Sequence, residues 1–513
     1  MQVGIDVGGT NTDAVLVEHG RVLHEVKTAT TADVTSGVRR SLELLLERSG
    51  VDREAVDAAM IGTTHFLNAV MERRRLRPIA ALRISLPAAA QVRPYADWPA
   101  DLRALVEDAT FMVRGGHEVD GRPIVPLDEA AIREAAREIA ARGLGAVAVT
   151  AAFSPVNPSA EEAARAIFAE TAPEIAVTCS HDLGRIGLLA RENVALMNAA
   201  LIGLAASTVD GFARALAESG IEAPLYITQN DGTVVQAEAA VRFPVLCFSS
   251  GTTNSIRGGA FLSGLQDAVV IDVGGTTTDV GTLVRGFPRE ANNIIHVGGV
   301  RSMFRMPDVT TIALCGGSLV DPADPAKVGP QSVGHRLTEE ALIFGGGSLT
   351  LSDIAVAAGL IELGEPSRVA GLDPAFVRAA LGTAQARIAD AVDRMLPGAE
   401  PVPLIAVGGG AFLVPESLPG ISEVVQVPHA GVANAIGAAI AQVSGEVDRI
   451  YQDLPREQAL AEARRAAEAR AVEAGAYAAT LQVVDMEDIP MAYMPGNTLR
   501  VRLRVVGDLR RGP

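Results

Sequence analysis

Residues Ile5–Val17 read IDVGGTNTDAVLV, and residues 271–284 read IDVGGTTTDVGTLV. Ile5, Asp6, Val7, Gly8, Gly9, Thr10, Thr12 and Asp13 recur as Ile271, Asp272, Val273, Gly274, Gly275, Thr276, Thr278 and Asp279, with Asn11 replaced by Thr277. Each copy opens on a short apolar run and closes on another, Ala14–Val17 in the first and Val280–Val284 in the second. The pattern predicts strand, glycine turn, strand: a β-hairpin bent at Gly-Gly. Glycine frees φ and lets the backbone approach a ligand closely. Amide N–H groups in such a bend converge into an anion-binding concavity, and threonine hydroxyls add donors. The aspartate ahead of the glycines would repel an anion unless a cation lay between, and Mg²⁺ takes carboxylate and phosphate oxygens together. Asp6 and Asp272 are therefore candidate metal-side and catalytic carboxylates. Gly8, Gly9, Thr10, Asn11, Thr12, Gly274, Gly275, Thr276, Thr277 and Thr278 are candidate cofactor-binding residues. For Asp13 and Asp279, catalysis and a turn-anchoring hydrogen bond both stay open. Two copies at domain-scale separation suit two similar domains, each offering a hairpin to one shared ligand.

The bulk numbers set the frame. A chain of 513 residues, 48% hydrophobic and 20% charged, folds into two or three cored domains. A formal net charge of −17 argues against nucleic-acid and anionic-membrane binding, which need a positive surface field. Cys179, Cys247 and Cys315 form no CxxC pair, and the eight histidines show no HExxH spacing, so neither a disulfide framework nor a zinc motif is expected. The chain opens on an apolar run without the basic region of an export signal, and runs such as Ala146–Phe153 and Leu404–Val407 are too short for a bilayer. The expectation is a soluble, cytoplasmic protein that binds neither membrane nor nucleic acid.

Strands alternate with helices along most of the chain, which predicts an α/β fold with parallel central strands. Helical spacing marks Thr35–Ser49, Leu127–Arg142 and Ala160–Glu170. The stretch Pro87–Pro126, with the lone Trp98, breaks the pattern and reads as a lobe inserted near 87–126, placed to cover a substrate. Leu454–Ala474 reads as a long solvent-facing helix, and Thr480–Leu509 as two strands around Pro495–Asn497. The divisions are 1–185 for domain I, 186–445 for domain II and 446–513 for a small α+β appendage that mediates subunit contact. His65 stands at a strand-to-helix junction with Asn68 one turn on. It either faces the cleft as a catalytic group or is an ordinary loop histidine. His181 and Cys315 read as structural, and Arg191 and Asn193 as a helix face that is either ion-paired or substrate-facing.

DxGGTxTD once per domain resembles the phosphate-1 and phosphate-2 loops of the actin, sugar-kinase and Hsp70 ATPase superfamily. IAVGGGAFLVP at 405–415 resembles its adenosine loop, which adds Gly408, Gly409 and Gly410 to the cofactor-binding set. The segments GTTHFLNAVMERR (62–74), SHDLGRIGLLARENVALMNAAL (180–201), ITQNDGTV (227–234), CGGSLV (315–320) and KVGPQSVGH (327–335) are similar to the hydantoinase/oxoprolinase family, A-type subunit, as is the carboxyl-terminal VDMEDIPMAYMPGNTLRVRLRVVGDL. One departure stands out: commoner members carry an SGPAGG-type loop where this chain reads SSGTTNSIRGGAFLSG (249–264). The resemblance implies two actin-like (ribonuclease H-like) ATPase domains around a nucleotide cleft, with ATP and Mg²⁺ as cofactors. It implies phosphorylation of the carbonyl of a cyclic amide for hydrolysis, or of a ketone in carboxylase relatives, together with a B-type partner subunit in an oligomer. A small-molecule kinase and a regulatory actin-like ATPase remain alternatives.

Overall fold

The computed structural model describes residues 1–8, 11–29, 34–184, 186–291, 295–492 and 497–510. Both copies of the repeated phrase fold as antiparallel hairpins in matching register: Asp6 lies opposite Asp13 and Val7 opposite Thr12, as Asp272 lies opposite Asp279 and Val273 opposite Thr278. The bends close alike, with Gly8 N–H donating to Asn11 C=O at 3.0 Å and Gly274 N–H to Thr277 C=O at 2.9 Å. In each lobe the first hairpin strand then pairs in parallel with a later strand, Ala58–Thr63 in the first and Val402–Val407 in the second. The two lobes thus share a local plan, and the fold is α/β with two actin-like domains about a cleft.

The sheets divide the chain differently from the sequence reading. The first sheet has nine strands, ordered Gln482–Pro490, Leu499–Gly507, Val443–Tyr451, Val234–Gln236, Leu225–Thr228, Ala58–Thr63, Gln2–Val7, Asn11–Glu18, Arg21–Ala29. The strands assigned to an appendage from 446 onward are therefore the edge of the first lobe's own sheet. The boundary at 186 also shifts, because Leu225–Thr228 and Val234–Gln236 belong to that sheet. The second lobe's sheet orders Phe287–Pro288, Thr278–Val284, Ala268–Val273, Val402–Val407 and Ile421–Gln426, with Val309–Ile312 against Thr278–Val284. Apolar strands look alike whichever sheet they join, so the choice is made by tertiary packing.

The segment near 87–126 proves part of a larger unit. Glu107–Arg114, Ile79–Leu86, Ala146–Ala151 and Ala176–Cys179 form a separate parallel sheet with its own core. Trp98 is buried, donating from Nε1 to Asn193 Oδ1 at 2.8 Å, so its ring serves packing. Leu188–Glu218 runs between this unit's sheet and the helices Val34–Ser49 and Ala237–Arg242 of the first lobe. It is the one helix among the described residues long and apolar enough to cross a membrane, yet 67% of its most apolar window is buried inside the fold. Helices buried on all sides read as apolar all round.

Two helices connect the lobes: Ser250–Ser263 as the chain leaves the first, and Ala433–Ala439 as it returns. They cross closely because the contact is built from glycine. A Cβ at Gly258 would strike the Ala433 carbonyl, one at Gly437 the Asn254 carbonyl, and one at Gly4 the Ala435 carbonyl. A second tie comes from the strand pair Ile295–Val297 and Val300–Ser302, which leaves the second lobe and buries Val297, Val300 and Phe304 in the first lobe's core.

Candidate functional site: a carboxylate-lined cleft between two hairpins

Paired positions across an antiparallel ladder project to one side, so each aspartate before the glycines shares a face with the aspartate that ends the phrase. A polar chain links the two hairpins through the connecting helices. Asn434 Nδ2 donates to Asp6 Oδ2 at 3.4 Å, and Ser255 Oγ contacts both Asn434 Oδ1 and Asp272 Oδ2. The bends therefore converge on one cleft whose floor is the helix crossing.

The cleft is crowded with negative charge. Burial, then the neighbouring Asp13, pushes Asp6 up to about 7. Burial likewise carries Asp279 up to about 6 and raises Asp13 and Asp272. Desolvation and like charge both disfavour the ionised form, so the site gains from an added cation. Asp13 Oδ2 accepts from Lys27 Nζ at 2.8 Å, while its Oδ1 is buried with no hydrogen-bond partner. Asp279 instead accepts from Thr311 Oγ1 at 2.5 Å and Thr252 Oγ1 at 3.4 Å. All-oxygen donors with an orphaned carboxylate oxygen fit a hard cation such as Mg²⁺. Such an ion keeps several waters and needs only one or two protein oxygens. The closed three-ligand clusters among the described residues, Glu161/Cys179/His181 and Glu162/His181/Asp182, lie instead in the four-stranded unit.

Glycines keep the cleft open. Gly62, in register with Asp6, leaves no room for a Cβ, which would come within 2.9 Å of Asp6 Oδ1. In the second lobe Gly408 (φ +88°), one residue past Val407, the register partner of Asp272, would drive a Cβ into Asp272 Oδ1, and Gly410 N–H holds Val273 C=O at 2.9 Å. Gly409 has open space around it. The Gly408–Gly410 loop thus lies against the second hairpin. Gly275 and Thr276 are exposed at that hairpin's tip, beside Thr277 and Gly274. Gly9 and Thr10 lie outside the described residues.

Strand alternation redirects two of the expected hydroxyl donors. Thr278 is fully buried and donates to Leu314 C=O at 2.6 Å, and Thr12 is fully buried too. Both sit on the face opposite the aspartates, inside their own lobes, so neither hydroxyl points into the cleft. Beneath the second bend, the buried Cys315 thiol meets Gly275 C=O at 3.2 Å and Ser332 Oγ at 3.2 Å, which makes it a prop for the loop. His65 begins the helix His65–Met71, just past the strand beside Asp6. Its Nδ1 lies 2.5 Å from Thr63 Oγ1, and burial lowers its pKa, which favours the neutral imidazole. Arg191 and His181 are bound into a structural network: Arg191 Nε donates to Ser180 Oγ at 2.9 Å, and His181 Nδ1 lies 2.7 Å from Glu161 Oε2.

Lys27, Ser255 and Asn434 belong to the cleft, and sequence reasoning missed all three. Ser255 lies within SSGTTNSIRGG, where the chain departs from the resembling family's loop, and that departure was the available signal. Asn434 sits in an unremarkable small-residue helix. A cavity of about 900 Å³ lies elsewhere, at the far ends of the hairpin strands between Gln2, Val17, Phe261 and Phe287.

Two lobes of like topology, each contributing a glycine bend and an aspartate to one cleft, define an actin-like two-domain architecture. The description "Hydantoinase/oxoprolinase N-terminal region" matches residues 2–172 and "Hydantoinase/oxoprolinase" residues 191–393. The chain belongs to the hydantoinase/oxoprolinase family. It is 26% identical over 387 residues to caprolactamase subunit alpha of Pseudomonas jessenii, covering 71% of this chain and 55% of that protein. It is 26% identical over 392 residues to the acetophenone carboxylase gamma subunit of Aromatoleum aromaticum, covering 70% and 53%. The chain thus matches about half the length of these curated relatives. Among solved structures it resembles the ATP-dependent caprolactamase of Pseudomonas jessenii (TM-score 0.79, 20% identity, 100% of this chain and 88% of that one). It also resembles nucleotide-free acetone carboxylase (TM-score 0.68, 18% identity, 99% and 88%). At those identities the likeness establishes the fold.

Proposed function

We propose that this chain is the ATP-binding, A-type subunit of a cytoplasmic enzyme that phosphorylates the carbonyl oxygen of an amide or lactam so that it can be hydrolysed. The observation that supports this reading is the joining of Asp6 and Asp272, one from each repeated phrase, through Asn434 and Ser255. Amide resonance makes the carbonyl a poor electrophile, and converting its oxygen to a phosphate ester removes that obstacle. In the transfer, the carbonyl oxygen bonds to the γ-phosphorus as the bond to the bridging oxygen breaks, and ADP leaves with that electron pair. Such reactions depend on positioning and charge neutralisation. Backbone N–H groups of the two bends would hold the phosphates, with Gly408–Gly410 beside the nucleotide. Asp6 and Asp272 would hold Mg²⁺, mainly through its waters; the ion would offset phosphate charge. His65 would meet the substrate as a neutral imidazole. A B-type subunit would complete the hydrolysis.

A ketone is the second reading for the substrate, supported by the carboxylase relative. An ADP-release screen across lactams, hydantoins and ketones, with and without the product of a neighbouring reading frame, tests both. The expected result is release stimulated by one carbonyl class in the presence of the partner. Flat turnover across the panel with the partner present would overturn carbonyl activation. A stable phosphorylated product formed by the chain alone would replace it with a kinase.

A further inference from the structure

Lys27 is the feature of the cleft for which the repeated phrase gives no account. It stands on Arg21–Ala29, directly across the ladder from Asp13. Its ammonium lies 2.8 Å from Asp13 Oδ2, and its charge also acts on Asp6 and on Asp272 of the opposite lobe. The side chain is 41% exposed, so its end is free to turn. Composition adds an independent point. The chain has 44 basic residues, of which only Lys27 and Lys327 are lysines, and Lys327 is 67% exposed with its Nζ beyond 3.4 Å from its nearest carboxylates. A chain so committed to arginine carries lysine beside the carboxylate that ends its first hairpin phrase. The two cations differ physically: guanidinium is a planar fork fixed on one partner, whereas ammonium is a compact charge that exchanges one oxyanion for another without reorienting.

We propose that Lys27 is a catalytic residue that leaves Asp13 when ATP enters and binds the γ-phosphoryl group, staying with it through transfer. This rests on the ATP-dependent reading above and adds to it the cation that the bends and carboxylates lack. The exchange serves both groups. The incoming phosphoryl brings negative charge into a cleft already lined with carboxylates, and Lys27 neutralises it. Asp13, relieved of the ammonium and with Oδ1 already unpartnered, has both oxygens free for donors on the metal's waters. No proton moves: the ammonium stays charged throughout.

The experiment needs no substrate. The full chain, with Lys27→Met and Lys27→Arg, is titrated calorimetrically with Mg²⁺-ADP and with the Mg²⁺ complex of a non-hydrolysable ATP analogue. A charge-assisted contact made only to the γ-phosphoryl predicts that Lys27→Met weakens the triphosphate analogue about 10- to 100-fold and leaves ADP within about twofold. Lys27→Arg should recover only part of the loss. An equal fall for both nucleotides would show that Lys27 merely shapes the site through Asp13, and unchanged affinity for both would remove it from the site; either overturns the proposal. If the unmodified chain binds neither nucleotide, the ATP-dependent reading fails and takes this proposal with it. Thermal unfolding of each variant separates these outcomes from misfolding.

Discussion

Single residues carry the chemistry here. Asp272 and its partners test the metal-side assignment. Asp272→Asn keeps an acceptor for Ser255 but removes the charge, so Mg²⁺-dependent ATP turnover should fall at least about 100-fold, with thermal stability nearly unchanged. Residual turnover near wild type would place the metal elsewhere. His181 supplies a second test, on stability. Burial alone would lower its pKa, but the hydrogen bond and charge of Glu161, with Asp182 and Glu162, outweigh it and leave the value raised. A raised folded value means a contribution fully present below the ordinary histidine value of roughly 6.5 and lost as pH climbs through the folded value. The gap in denaturation midpoint between wild type and His181→Gln should therefore be wide at about pH 5.5 and narrow at about pH 8.5. A gap constant with pH would mean that His181 stays neutral. Asp6, Asp272 and the glycines of the repeated phrase were legible as candidates because their residue types suggest a chemistry. Lys27 and Asn434 were not, since nothing in their immediate neighbours distinguishes a cleft residue from a surface one.

At the scale of elements, close approach governs stability. The connecting helices touch at Gly258 and Gly437, and Gly437→Val would force them apart against the Asn254 carbonyl. Overpacking of this kind costs about 1–3 kcal/mol, to be read from denaturant unfolding. It should also loosen the Asn434–Ser255 link and weaken nucleotide binding. The Arg456–Glu473 helix shows the same device. It looks solvent-facing by composition, yet Ala459, Ala463, Ala467 and Ala471 form a buried stripe, and Gly445 beneath it leaves room for the Ala467 carbonyl. A four-residue alanine period is weak as a hydrophobic signal, which is why the sequence suggested exposure. The terminal strands Gln482–Pro490 and Leu499–Gly507 matched their expected positions because alternation is local. Their sheet partners were not local and could not be read.

Across the whole molecule, the lobes are held by more than the helix crossing. Glu290 and Arg305, from the second lobe's excursion, meet Asp231, Glu446, Arg502 and Arg504 on the first lobe's sheet. Arg504 Nη1 lies 3.0 Å from Asp231 Oδ2, both side chains being almost wholly buried. Removing one partner of such a pair strands the other, so Arg504→Met should cost about 3–5 kcal/mol, with little dependence on salt. A loss below about 1 kcal/mol would mean that water reaches the cluster. Nucleotide acts on the same scale. If both lobes grip one triphosphate, a Mg²⁺-ATP analogue at about 100 times its dissociation constant should stabilise the folded chain by about 2.7 kcal/mol. Both lobes should then gain protection in hydrogen exchange. Protection confined to one lobe would mean that the bends do not share the ligand.

By itself the sequence determined the two hairpins and the α/β class, because each is set by backbone sterics and side-chain period over a few residues. Only the tertiary structure decided that the carboxyl-terminal strands complete the first sheet, that Thr12 and Thr278 turn inward, and that Lys27, Ser255 and Asn434 meet the aspartates. Those outcomes depend on which apolar surfaces bury one another across hundreds of residues, and burial is indifferent to where along the chain a matching surface arises.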